Sequence, residues 1–278
     1  MRIIAGRQNP AVRLFRSLAA EGDVTGARLL LDGAHLVREA RDSGVALEMV
    51  AVASSRLARD TEEGRLAHAL DGDGVDVVMA PDQLFGAISP VRTPSGIIAV
   101  ARREPTIAAE IYAAADALVL AAIDVQDPGN LGSLLRAAEA GGVTGALVCG
   151  TARGGTANPF SWKALRGSMG SALRLPIVSG LDATAALEAL DVAAVTTVAA
   201  VPRDGHDPDT MDWSGRVAIV LGGEGPGLTD DLIERCRSRV TIPMAPRVES
   251  LNVAVAGAIL VYAARRARMR AGTALQRG

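Results

Sequence analysis

Aromatic residues make up only 3% of this 278-residue chain, and there are two cysteines and a single lysine, Lys163. With so few rings, Val, Leu, Ile and Ala must build the core. Cys149 and Cys236 provide neither a disulfide framework nor a metal cluster, and they read as two buried thiols. His35, His68 and His206 show no metal spacing, so no metal is expected. No apolar run approaches the roughly 18 residues of a transmembrane helix. The candidate from Ala113 to Ile123 is interrupted by Asp116. The opening residues lack the charged-then-apolar order of a leader, and the expectation is a cytoplasmic protein without a membrane anchor.

A net charge of −2 excludes a globally basic nucleic-acid binder. Charge is nevertheless unevenly placed. Arg2, Arg7, Arg13 and Arg16 precede the first acid, Glu21, and Arg265, Arg266, Arg268, Arg270 and Arg277 follow the last, Glu249. Such ends are either solvated helix faces or phosphate contacts. Of them, Arg7, Arg13 and Arg16 are the candidate RNA-binding residues. A content of 49% hydrophobic and 22% charged residues excludes bulk disorder. The length suggests two domains.

The pattern along the chain is α/β. Helices are expected at 9–20, 34–44, 56–70 and 81–88, with strands at 28–33, 47–54, 75–80 and 96–102. That alternation predicts a layered unit with a largely parallel sheet. The polar stretch Arg102 to Pro105 reads as a linker, giving domains 1–104 and 105–278. Beyond it, strands are expected at 117–124, 146–150, 194–201, 217–223 and 240–244. Residues 164–178 read as helix passing into strand. Helices are expected at 130–142, 184–192, 230–236 and 251–270.

Three loops, each directly after an apolar strand, carry the candidate chemistry. Ligand sites in parallel sheets form outside the carboxyl ends of strands, so three such loops can share one crevice. The first is Asp124 to Arg136, in which Pro128-Gly129 sets a turn and Asn130 is expected to cap the following helix. Arg136 is expected to return to the Asn130 face. The second, Leu221-Gly-Gly-Glu-Gly-Pro-Gly-Leu228, has four glycines in six residues, which lets a ligand approach the backbone. It is neither G-x-G-x-x-G nor a phosphate-binding P-loop. The third runs from Ile242-Pro-Met244 to Ser250-Leu251-Asn252, opening an apolar helix rich in small residues. Taken singly, each loop also reads as ordinary turn and capping chemistry.

Together, D-x-x-D-P-G-N-x-G-x-x-x-R, I-V-L-G-G-E-G-P-G-L and I-P-M through S-L-N-V-A-V-A make residues 105–270 similar to the SpoU/TrmH family of S-adenosylmethionine-dependent RNA ribose 2′-O-methyltransferases. Ala254 stands where that family usually has Ser. Residues 27–101 resemble the small α/β substrate-binding domain often fused in front, which is related to RNA-binding ribosomal proteins. The resemblance implies a parallel sheet of SPOUT type with a deep trefoil knot, which periodicity would not suggest. It implies S-adenosylmethionine as methyl donor, held by Leu221, Gly222, Gly223, Gly227, Ile242, Met244 and Leu251. It implies Arg136, Asn130, Ser250 and Asn252 as catalytic residues. Glu224 reads as holding the motif loops or a subunit contact. The family casts the motif arginine as base, but a guanidinium stays protonated in proteins, so phosphate binding or alkoxide stabilisation is the other role for Arg136. The resemblance also implies a homodimer and an RNA substrate. The front domain favours ribosomal RNA over transfer RNA, and a non-catalytic RNA-binding protein is the other class.

Overall fold

A computed structural model describes residues 1–22, 26–152 and 154–275. Arg277 of the basic carboxyl end lies outside the described residues. The chain forms two compact units, Met1–Pro105 with Phe160–Arg174, and Thr106–Pro159 with Leu175–Gly278.

The first unit is built on five strands: β1 (Arg2–Ile3), β2 (Arg28–Asp32), β3 (Ala46–Ala53), β4 (Val77–Ala80) and β5 (Ile97–Arg102). Their order is β1-β4-β3-β5-β2. Helices α1 (Pro10–Glu21), α2 (Ala34–Asp42), α3 (Glu62–Gly72) and α4 (Asp82–Ile88) connect them. Asn9 caps α1 by accepting from the Ala11 N–H at 2.9 Å, and Thr61 caps α3 by accepting from Gly64 at 2.9 Å. α3 therefore starts later than position 56. The sheet is mixed, which corrects the parallel expectation: β5 runs antiparallel to both β2 and β3. Strand direction leaves no trace in an apolar run buried on both faces, so alternation alone could not show it. β1 is too short to carry any periodicity, and the sequence pattern does not reveal it. Phe15, Phe85, Ile88, Ile98 and Val100 centre this unit's core.

The second unit contains α5 (Ala108–Ile111), β6 (Leu118–Ile123), α6 (Pro128–Ala140) and β7 (Gly145–Gly150). The next two helices, α7 (Trp162–Ser168) and α8 (Ser171–Arg174), group with the first unit. There Arg166 pairs with the buried Asp32 at 3.6 Å, Arg174 pairs with Glu39, and the Arg103 guanidinium lies 4.9 Å from the Phe160 ring centre. A single boundary at the 102–105 linker would assign this segment to the carboxyl-terminal domain instead. The second unit resumes with β8 (Ile177–Asp182), α9 (Ala183–Val192), β9 (Thr196–Ala200), β10 (Val217–Gly222), α10 (Asp230–Arg235), β11 (Ser238–Val240) and α11 (Val253–Leu275). All its strand pairs are parallel, in the order β11-β9-β10-β6-β7-β8. β10 thus lies between β9 and β6, and the carboxyl ends of β6, β9, β10 and β11 open on one edge. β11 ends at Val240 rather than continuing to Met244, and Pro243 has no N–H to offer a ladder.

α11 lies over α6 and β10. A Cβ on Gly257 would overlap Leu134 and press on Leu221, and one on Gly141 would overlap Val261. Glycine at these two points sets the close approach of the helices. Arginines fasten the far end of α11. Arg268 donates to the carbonyls of Trp213 at 2.8 Å and Gly215 at 2.7 Å, and also to Asp116; Arg265 donates to Ala140 at 2.5 Å; and Arg266 pairs with Asp209 at 3.3 Å. Arg265, Arg266 and Arg268 of this basic end thus each use donors within the chain. At the amino end Arg2 is likewise taken, by Asp76 at 2.8 Å.

Candidate active site

Four strand ends build the site. At the first, Asp127 rather than Asn130 caps α6: its Oδ1 accepts from the Asn130 N–H at 2.7 Å, and Pro128 opens the helix. Asn130 sits one turn inside, and that frees its side chain to reach outward. Its Nδ2 donates to Glu224 Oε1 at 2.7 Å, and its Oδ1 accepts from Asn252 Nδ2 at 2.9 Å. Asn252 in turn caps α11, with Oδ1 accepting from Ala254 at 2.9 Å and Val255 at 3.3 Å. One hydrogen-bonded chain therefore joins all three glycine- and asparagine-bearing loops.

Glu224 anchors that chain. Its carboxylate accepts from the N–H groups of Gln126 at 2.8 Å and Asp127 at 3.4 Å, at the amino end of α6, where negative charge is favoured. Burial pushes its carboxyl up. The hydrogen bonds from Asn130, Gln126, its own N–H and Asp127 outweigh this and hold it below the ordinary carboxylate range. A carboxylate so held is a poor proton acceptor. Its geometry is that of a loop tie.

The glycines are needed by the loop itself. A Cβ on Gly222 would overlap the backbone of Gly227 and Leu228, and one on Gly223 would overlap the Asp124 carbonyl. Gly225 and Gly227 adopt φ of +92° and +70°, where L side chains are strained. The β10 loop thus folds back on itself and against the β6 loop.

Beside this chain lies a pocket of about 500 Å³. Leu221, Gly222, Gly223, Gly227, Ile242, Met244 and Leu251 all line it, as do Glu224, Ser250 and Asn252. Sequence reading missed Ala200, Val201 and Pro202 at the end of β9, and Ala256 and Leu260 on α11. Those residues are small or apolar and follow no glycine cluster, so only the packing of β9 and α11 against β10 brings them in. The lining combines apolar side chains with the backbone of a glycine-rich turn, as small-molecule sites commonly do.

Arg136 is exposed, and no hydrogen bond or ion pair joins it to Asn130, Ser250 or Asn252. Six residues on a helix of 3.6 per turn leave it about 120° around from Asn130, not on the same face. Ser250 is exposed, and its side chain has no hydrogen-bond partner among the described residues. Neither thiol lines the pocket. Burial, with Asp182 and Asp124 nearby, pushes Cys149 up to about 12, and burial pushes the half-buried Cys236 up to about 11. Among the described residues no group of three or more His, Cys, Asp or Glu could hold a metal.

Residues 117–262 match the SpoU rRNA Methylase family, and residues 9–99 match the MRM3-like substrate binding domain. This chain belongs to the SpoU rRNA methylase family. The Bacillus subtilis 23S rRNA (guanosine(2553)-2′-O)-methyltransferase RlmP is 31% identical over 264 residues, covering 94% of this chain and 98% of that one. The Xanthomonas campestris 23S rRNA (guanosine-2′-O-)-methyltransferase RlmB is 39% identical over 153 residues, covering 55% of this chain and 60% of that one. The AdoMet-bound rRNA methyltransferase from Sinorhizobium meliloti superimposes with a TM-score of 0.79 at 26% identity, over 95% of this chain and 97% of that one. Membership of the SpoU family agrees with the expected α/β architecture and with an α/β substrate-binding unit in front. Among the described residues no helix is long and apolar enough to cross a membrane.

Proposed function

We propose that this protein is an S-adenosylmethionine-dependent methyltransferase acting on a ribose 2′-hydroxyl of 23S ribosomal RNA. The observation that carries the reading is the Glu224–Asn130–Asn252 chain tying three loops beside the pocket. The names of the Bacillus and Xanthomonas relatives support the substrate class. The pocket fits the donor. Its volume of about 500 Å³ suits a nucleoside carrying an amino-acid chain, and its lining pairs apolar walls with backbone groups.

S-adenosylmethionine, when bound, supplies an electrophilic methyl carbon. That carbon would pass to the ribose O2′ as its bond to sulfur is lost, with S-adenosylhomocysteine as the leaving group and the hydroxyl proton released to water. Leu221, Gly222, Gly223, Gly227, Ile242, Met244 and Leu251 hold the donor in this reading. Asn130 and Asn252 each spend one amide N–H inside the chain and keep one for the ribose. Ser250 presents its free hydroxyl to the same substrate. Arg136 binds the adjacent phosphate and stabilises the developing alkoxide; its permanent charge suits that role better than proton abstraction. Glu224 holds the loops and takes no proton. Calorimetric titration tests the donor site: S-adenosylmethionine should bind, and NAD or ATP binding in its place would contradict the assignment.

The front unit selects the RNA and the second unit does the chemistry. Residues 1–104 carry 13 arginines against 14 acids, so attraction by that stretch must be local. Arg7, Arg13 and Arg16 are exposed and have no acidic partner among the described residues, which supports them as phosphate contacts. Replacing Arg13 or Arg16 by Gln should lower the salt slope of RNA binding by about one unit each; an unchanged slope removes them.

The protein is a cytoplasmic homodimer in this reading. Val255, Ile259 and Tyr262 form an exposed stripe at helical spacing on α11, 49%, 38% and 41% accessible. Sedimentation at the monomer mass of 28.6 kDa would contradict the dimer. The knotted carboxyl-terminal path belongs to the same reading, supported by β10 lying between β9 and β6 with α11 returning over α6.

A further inference from the structure

Asp124 leaves β6 at φ +53°, in the left-handed region that residues with a side chain rarely occupy. Several contacts keep it there. Its N–H donates to the Cys149 carbonyl at 3.0 Å. Its carboxylate accepts from the Thr151 N–H at 2.8 Å and from the Thr151 hydroxyl at 2.6 Å. Its carbonyl occupies the space a Cβ on Gly223 would need. One residue thus joins the loops after β6, β7 and β10.

The β7 loop braces the same turn. Val125 accepts at its carbonyl from the Ala157 N–H at 2.7 Å and the Thr156 hydroxyl at 3.3 Å. A Cβ on Gly154 would come within 3.4 Å of the Asp124 carboxyl carbon, so this loop lies directly along the Asp124 side chain. Immediately beyond are the Gln126 and Asp127 N–H groups that meet Glu224. The direction in which the chain leaves Asp124 therefore decides whether those two donors reach the carboxylate.

We infer that Asp124 and Thr151 are positioning residues for methyl transfer: the carboxylate–threonine clamp fixes the exit of the β6 loop and, through Glu224, the orientation of Asn130 and Asn252. The inference rests on the methyltransferase reading. Neither residue lines the donor pocket, and neither touches the Asn130–Asn252 pair directly. Hydroxyl-to-carboxylate bonds of this length are of the stronger, charge-assisted kind. Losing one lets the left-handed turn relax and draws the two N–H groups away from Glu224. The rate of transfer should suffer while donor affinity does not.

The test compares wild type, Thr151→Val and Thr151→Ser. The readouts are single-turnover methyl transfer to 23S rRNA, S-adenosylmethionine affinity by calorimetry, and amide hydrogen exchange of residues 125–127. Thr151→Val, which keeps shape and removes the hydroxyl, should slow transfer about tenfold, the loss typical of one hydrogen bond to a charged group. It should speed exchange at 126 and 127 by a similar factor and leave donor affinity within about twofold. Thr151→Ser restores the hydroxyl and should recover most of the rate. Asp124→Asn, which tolerates the left-handed turn and keeps one acceptor, should reproduce the valine pattern if that variant fails to fold. Wild-type rate and exchange in Thr151→Val, or a serine variant as slow as the valine one, overturns the inference. A rate loss matched by an equal loss of donor affinity overturns it too. A wild-type protein inert on 23S rRNA overturns both this inference and the reading beneath it, whereas an active wild type with an equally active valine variant overturns the inference alone.

Discussion

Asn252 donates from Nδ2 to Asn130 Oδ1 at 2.9 Å, across 122 residues of chain. The bond fixes which way both amides face. Asn130 must present its oxygen to Asn252 because its nitrogen is held by Glu224, and Asn252 must present its nitrogen because its oxygen caps α11. Two amides that orient each other act as a unit. Alanine at either position should cost most of the methyl-transfer rate, and the double replacement should cost little more than the worse single one. Fully additive losses in a double-mutant cycle would show that the two act separately.

Arg136 is exposed and has no partner among the described residues. Arg136→Ala should leave the thermal midpoint nearly unchanged, as surface replacements usually do, and should lower the transfer rate by about a hundredfold or more. Donor affinity should hold. A fall in the midpoint with full activity per folded molecule would make the arginine structural instead.

Gly222 is a poor probe of the pocket, because its missing Cβ faces the Gly227–Leu228 backbone rather than the cavity. A bulky residue there breaks the loop whether or not a donor binds. Ala256 faces the cavity from α11. Ala256→Leu keeps helix propensity and fills space, so it should weaken S-adenosylmethionine binding by about tenfold or more with the fold intact. Undiminished affinity in a folded Ala256→Leu protein would place the donor elsewhere.

Glu224 titrates below its ordinary value of 4.5. A carboxyl lowered on folding contributes stability that is fully present above the unfolded value and is lost as pH falls through the folded one. The midpoint difference between wild type and Glu224→Gln should therefore be constant above about pH 5.5 and shrink as the pH drops below about 4. A difference that grew on acidification would mean that Glu224 is protonated in the native state.

The order of strands and helices was legible because apolar runs and caps are local. All three motif loops were legible for the same reason: Gly, Pro and Asn announce turns, and strand ends announce crevices. Direction was not, so the antiparallel β5 had to be seen. Pro128 in the first helical turn shifts the cap from Asn130 to Asp127, and a reading that took the first Asn after a turn as the cap could not weigh the two. Val201 and Ala256 entered the pocket only through tertiary neighbours. The arginines of α11 looked like Arg13 and Arg16 in sequence. What separates them is backbone carbonyls some 50 to 150 positions away, and only the folded chain brings those carbonyls within reach.

The most direct test is to incubate the purified protein with S-adenosylmethionine and deproteinised 23S rRNA or transfer RNA, then map methylation by nuclease digestion and mass spectrometry. One new 2′-O-methylated nucleotide should appear in 23S rRNA, absent with Arg136→Ala protein and absent from the transfer RNA. A methyl group on a base, on transfer RNA alone, or on no RNA at all would contradict it.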